Sequence, residues 1–205
     1  MVPPSMKPPA VVMIVVAALS GLSGSARAED IGNDRPFYYG VKVGVNATTL
    51  FGNGADDSSV HLSLGLGAFY AHELFDKFRL APEFLMTEKG ADFEDLSGND
   101  ADQGFLYLQL PILARYDLPL SEMVSFYGFG GPAAAYVIDS KRMPKTDLSR
   151  FDISTIAGLG VDINPGSHRI LVDVRGEIGL LNQLDRPDGR SARNLGISLF
   201  AGVSM

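Results

Sequence analysis

Apolar and polar side chains alternate one by one along residues 37–46: Phe37, Tyr39, Val41, Val43 and Val45 fall on one face, and Tyr38, Gly40, Lys42, Gly44 and Asn46 on the other. A period of two is that of a β-strand with unlike faces. Residues 60–70 repeat it, setting Val60, Leu62, Leu64, Leu66, Ala68 and Tyr70 against His61, Ser63, Gly65, Gly67 and Phe69. Residues 78–89 set Phe78, Leu80, Pro82, Phe84 and Met86 against Arg79, Ala81, Glu83, Thr87 and Lys89, with Leu85 as the exception. Four more stretches, 105–116, 151–163, 169–181 and 194–205, alternate in the same way. Residues 124–137 are rich in glycine and alanine, which predicts a strand without saying which side faces where.

The links between these eight stretches alternate in length. Residues 47–59, 90–104, 138–150 and 182–193 are long and polar, whereas 71–77, 117–123 and 164–168 are short and carry turn chemistry such as Asn164-Pro165-Gly166-Ser167. All the long links then lie at one end of an antiparallel up-and-down barrel, with both chain ends at the other. Long loops at one end and tight turns at the other are the asymmetry of outer-membrane barrels.

Alternation alone leaves open which face is wet, so a soluble eight-stranded barrel of lipocalin type competes with a transmembrane one. The glycines separate the two. On a water-facing surface Gly40, Gly44, Gly65, Gly67, Gly158 and Gly160 would weaken the strands and pack against nothing. Inside a narrow eight-stranded barrel they leave room for the charged side chains that share the lumen. The fold class expected is therefore all-β: an eight-stranded antiparallel up-and-down transmembrane β-barrel. Its backbone groups have no water to bond in lipid, so the first and last strands must meet. The seven tyrosines all fall within strands, and those facing outward are expected to contribute to an interfacial aromatic girdle.

Residues 1–28 belong to another physical class. Met6-Lys7 gives a weakly positive start, Ala10 to Leu22 an apolar run of 13 residues, and Ala26-Arg27-Ala28 small residues at the positions a signal peptidase accepts. The run is short of the roughly 20 residues a membrane-spanning helix needs. We expect an export signal over 1–28, cleaved after Ala28, and a barrel domain over 29–205. Lys7 and Arg27 fall in the signal, so the mature chain carries 15 basic and 24 acidic residues, a balance of −9. Such a surface argues against nucleic acid. There is no cysteine, which excludes disulfides, a lipid anchor on Cys and thiolate metal sites.

Three segments carry a family resemblance. Leu80-Ala-Pro-Glu-Phe-Leu-Met-Thr-Glu-Lys-Gly90, Tyr107-Leu-Gln-Leu-Pro-Ile-Leu-Ala-Arg-Tyr116 and Tyr127-Gly-Phe-Gly-Gly-Pro-Ala-Ala-Ala-Tyr136 resemble, in order and spacing, blocks of the PorT-like outer-membrane β-barrel family. The likeness runs from about Tyr38 to the C-terminus. It implies an eight-stranded barrel in the outer membrane of a Gram-negative bacterium and brings no catalytic residue with it. Two positions depart from the family pattern: Met205 stands where a terminal aromatic is usual, and Gln109 where an acid is usual.

The inward set contains Lys42, His61, Glu83, Lys89, Arg115, Asp162, Asp173, Arg175 and Glu177. Buried charges must be paired or hydrated, and a lumen this narrow predicts a salt-bridged plug. Its expected core is Lys42, Glu83, Arg115, Asp173, Arg175 and Glu177, with Arg115 and Arg175 neutralising Glu83, Asp173 and Glu177. A proton or ion path through the same residues is the competing reading. The acidic stretch Asp92–Asp102 suits a solvated loop that touches divalent ions among lipopolysaccharides, and the basic stretch 139–150, with Lys141, Arg142, Lys145 and Arg150, suits phosphate groups. His61, His72 and His168 are too scattered for a zinc site or a nucleophilic triad, and the glycine clusters lack the spacing and following helix of a nucleotide loop. No catalytic residue, cofactor or metal is expected. The expected partners are outer-membrane lipid and lipopolysaccharide, the barrel-assembly machinery during insertion, and an unidentified extracellular ligand, with the chain a monomer. The role expected is structural or one of interaction through the long loops. The rivals are a surface adhesin or resistance factor, a narrow passive pore and a soluble periplasmic ligand-binding barrel.

Overall fold

The computed structural model describes residues 36–52, 59–94, 100–140, 150–166, 168–181 and 193–204. The expected signal over 1–28, the basic positions Lys141, Arg142 and Lys145, and Met205 lie outside the described residues. Eight strands follow in chain order: β1 (Phe37–Phe51), β2 (Ser59–Phe75), β3 (Phe78–Glu94), β4 (Asp100–Pro119), β5 (Val124–Ser140), β6 (Phe151–Ile163), β7 (Arg169–Gly179) and β8 (Arg193–Ser204). Each pairs antiparallel with its neighbour, and β1 closes on β8 from Gly40↔Ser204 to Phe51↔Arg193. Closure removes every open edge, which is what a sheet in hydrocarbon requires.

The faces decide the solvent question. The apolar set points outward: Leu62 is 76 % exposed, Leu159 73 % and Ile197 64 %. Lys42, Glu83, Arg115, Asp173 and Arg175 are buried inside. A soluble barrel would have these two sets exchanged. Among the tyrosines, Tyr39, Tyr70, Tyr116 and Tyr136 face outward, and Tyr38, Tyr107 and Tyr127 face the lumen. Outward rings gather at the short-turn end, where Phe37 stacks on Tyr70 (centroids 5.9 Å apart) and Phe78 lies 5.0 Å from both Phe75 and Tyr116. Flat amphipathic rings at that level sit where headgroups meet acyl chains.

Two expectations change. Strands β1 to β5 are longer than the hydrophobic pattern shows, most of all β3 and β4, which continue pairing from Gly90↔Gly104 to Glu94↔Asp100, while β6 has the expected span and β7 ends at Gly179, two residues short of it. Most of the expected 90–104 loop is thus a β-ribbon, with only 95–99 between the strands. Beyond the bilayer a ribbon needs no apolar face, so nothing in the polarity pattern marks it. The glycine-rich β5 also resolves its facing: Tyr127, Phe129, Ala133 and Ala135 point inward, and Phe126 and Tyr136 outward. At the opposite end β2 turns into β3 through Asp76 and Lys77 alone, and Lys77 takes the left-handed conformation (φ 63°) that two-residue hairpin turns favour.

Candidate functional site

Inward positions of β1, β3 and β7 meet at mid-barrel. Lys42 Nζ lies 2.6 Å from Glu83 Oε1 and 3.3 Å from Asp173 Oδ2. Arg175 lies 2.7 Å from Glu83 Oε2 through Nη1 and 2.7 Å from Asp173 Oδ1 through Nη2, and its Nε donates to the same Asp173 oxygen at 2.9 Å. Two cations and two carboxylates thus close a neutral ring, each side chain 3–5 % exposed. Tyr127 donates its hydroxyl to Asp173 at 3.4 Å. Each of the four has two opposite partners, which stand in for the water that burial removes.

Aromatic rings seal the ions. Lys42 Nζ stands 5.2 Å from the centre of the Phe69 ring and 5.8 Å from that of Phe200, and the Arg175 guanidinium 5.1 Å from Phe129 and 4.7 Å from Phe200. Glycines make room for the rings. A Cβ on Gly44 would lie 2.6 Å from Phe200 Cδ1, one on Gly65 2.9 Å from its Cζ, and one on Gly158 2.5 Å from Phe129 Cζ. The inward glycines were expected to admit charged side chains directly. Here they admit aromatic rings, and the rings in turn cover the charges.

A second network fills the short-turn mouth. Arg115 bonds Asp117 at 2.6 Å and Asp162 at 2.8 Å, Arg79 bonds Asp117 and Glu73 at 2.7 Å each, and Arg169 reaches Asp162 at 3.5 Å. The guanidiniums of Arg79, Arg115 and Arg169 all face the Tyr38 ring, at 5.4, 5.7 and 4.6 Å. Toward the long-loop end Glu177 Oε1 accepts from Lys89 at 2.5 Å, Ser154 at 2.6 Å and Gln109 at 2.7 Å.

Of the six residues expected to form the plug, Lys42, Glu83, Asp173 and Arg175 come together in one ring. Arg115 does not neutralise Glu83, Asp173 or Glu177. It lies at the mouth with Asp117 and Asp162, and Glu177 takes Lys89 as its cation. The stagger of the strands decides this, since it sets which inward positions share a level. Arg79, Asp117, Glu73 and Arg169 were missing from the expected set; alternation had placed Arg79 inward, whereas Asp117 read as part of a short link that is in fact strand. His61 is buried 4.0 Å from Glu88, and His72 faces outward beside Tyr70. Among the described residues no three His, Asp or Glu side chains converge as metal ligands.

Residues 24–185 match the family described as outer membrane protein beta-barrel domain. The chain belongs to that family. No curated protein matches the sequence. Among solved structures, this family member is similar to the outer membrane protein OprG of Pseudomonas aeruginosa, at 13 % identity over 82 % of this chain and 93 % of that one, with a TM-score of 0.56. It is also similar to Neisserial surface protein A, at 13 % identity over 83 % of this chain and 97 % of that one, with a TM-score of 0.50. Likeness at such identity is likeness of fold. Together with the outward apolar face it makes the chain an outer-membrane barrel.

Proposed function

We propose that this barrel is a non-conducting, non-catalytic scaffold that holds its four long loops outside the cell, where they interact with lipopolysaccharide and an extracellular ligand. The observation that carries this reading is the sealed mid-barrel ring. Side chains only 3–5 % exposed cannot line a water-filled pore, and the voids beside them, of about 10 and about 20 Å³, admit a single water at most. Residues 1–28 act as an export signal removed after Ala28, and the mature monomer is inserted by the barrel-assembly machinery. The three blocks quoted above support a place in the PorT-like branch of the family.

Planar-bilayer recording of the purified barrel tests the lumen. We expect no channel steps above the bare membrane; steady unitary conductance would overturn the plug. Fractionation tests the rest: the protein should sediment with outer membranes, shift on gels after heating, and have a mature mass that begins at Glu29. Removing residues 91–102 should leave that heat shift in place while abolishing surface interaction.

A further inference from the structure

Five of the eight inter-strand ladders run without a break: β1 with β2, β1 with β8, and β5 through β8 in succession. The other three are interrupted, and each has one break at a proline; β2 and β3 also lose register between Val60 and Gly65 and between Glu73 and Phe75, and β4 and β5 between Leu106 and Tyr107. β2 and β3 pair at Phe69↔Glu83 and again at His72↔Leu80, but not between, where Tyr70 faces Pro82. β3 and β4 pair at Pro82↔Ile112 and at Leu85↔Gln109, skipping Pro111. β4 and β5 pair at Pro111↔Ala133 and at Ala114↔Gly130, skipping Pro132.

Proline has no N–H to give to a ladder and is therefore confined to sheet edges, where water can serve the orphaned carbonyl. A closed barrel in hydrocarbon has neither edge nor water. The three gaps also adjoin. Together they draw one oblique line across four strands, whereas the other β2–β3 break, between Val60 and Gly65, lies toward the long-loop end and the ladders from β5 round to β2 through β8 and β1 run unbroken. On the lumen side of that line stand Ala81, Pro111 and Gly131, small or rigid residues, and Glu83 of the central ring. A void of about 20 Å³ lies against Ala81 and Glu83.

We propose that Pro82, Pro111 and Pro132 form a hinge line along which the wall between β2 and β5 opens locally while the remaining strands stay paired, uncovering the Glu83 side of the ion-paired ring. Fewer ladder bonds hold this stretch, so it opens at a smaller free-energy cost than the opposite wall.

Residue-resolved amide hydrogen exchange of the full-length mature barrel in lipid bilayers tests the proposal. Leu113 and Gly131 face each other across the β4–β5 gap, and Gly131 pairs with Ile156 and Ile156 with Glu177, so the four follow one row of mid-strand ladder positions. We expect Glu83, Leu113 and Gly131 to exchange at least about 100-fold faster than Ile156 and Glu177, a difference of roughly 2.7 kcal/mol in opening free energy. In Pro82→Val/Pro111→Val/Pro132→Val the same amides should slow at least about tenfold; Pro82→Val alone should slow Glu83 if the triple variant does not insert. Equal protection on both walls of the unaltered protein overturns the hinge, whatever the variants do. So does unchanged exchange in a folded variant.

Discussion

The central ring and the short-turn mouth are built from the same residue types in nearly the same ratio, yet they stand in different media. In the ring four charges are shut between Phe69, Phe129 and Phe200, with no member more than 5 % exposed. At the mouth the network opens on a cavity of about 220 Å³, Glu73 is 39 % exposed, and Arg169 19 %. The contrast separates two uses of an ion pair. In the dry ring each charge depends on its partners for the solvation it has lost, so the four act as one unit. At the outer rim of the mouth, around Glu73 and Arg169, water can replace a missing partner and the pairs orient side chains more than they stabilise them, whereas Arg115 and Asp162 beneath them are as buried as the ring.

The contrast is sharpest at Arg175. Removing its guanidinium, as in Arg175→Met, leaves Glu83 and Asp173 buried with Lys42 as their one shared cation. Breaking a buried pair in this way costs about 3–5 kcal/mol, so the denaturant midpoint for unfolding from lipid should fall by the corresponding amount. A loss below 1 kcal/mol would mean that the ring is hydrated. Next comes the aromatic seal. Gly44→Ala drives a methyl group against the Leu199 carbonyl oxygen and into the Phe200 ring, and overpacking of that kind costs about 1–3 kcal/mol. Gly128→Ala on the lipid face meets only Leu159 Cδ2, at 3.4 Å, and should be neutral or slightly stabilising. Adding Phe200→Leu to Gly44→Ala should recover the part of the loss that comes from the ring and leave the part that comes from the Leu199 carbonyl. Arg115→Ala belongs between the two regions, because its side chain is buried but each of its acids keeps a second cation: Arg79 for Asp117 and Arg169 for Asp162. A loss of about 1–2 kcal/mol is expected, clearly smaller than at Arg175.

How much of this was legible in the sequence follows the same division between faces. The outward face is nearly uniform, so a period of two fixed seven of the eight strands and their facing. The inward face is mixed, and there the pattern reads less well. Leu85, Ile156 and Phe200 are apolar residues that point into the lumen, each under 3 % exposed; Leu85 read as an exception to alternation, and nothing in the pattern singled out the other two as core. β5 could not be oriented because glycine and alanine stand on both of its sides. The charges were legible as a pool but not as pairs. Pairing needs the stagger between strands, which brings Lys42 level with Asp173 and puts Arg115 one layer away, and no local spacing encodes that stagger. The mouth was the least visible region, since Asp117 lies where a strand runs on past its last apolar residue into what reads as a turn.

Glu73→Gln is the mildest perturbation and the one most specific to the mouth. Its carboxylate sits 2.7 Å from Arg79 Nη2 with more than a third of its surface in solvent, and Arg79 retains Asp117 when that partner is neutralised. An exposed pair of this kind contributes about 0.2–1 kcal/mol, and that contribution shrinks as salt shortens the Debye length toward the pair's own separation. The substitution should therefore be detectable at low ionic strength and vanish in concentrated salt, whereas the loss at Arg175 should persist there because no counter-ion reaches the ring. If both variants lost their effect in salt to the same degree, the ring would share the mouth's solvent, and the aromatic rings packed against Lys42 and Arg175 would not be keeping water out.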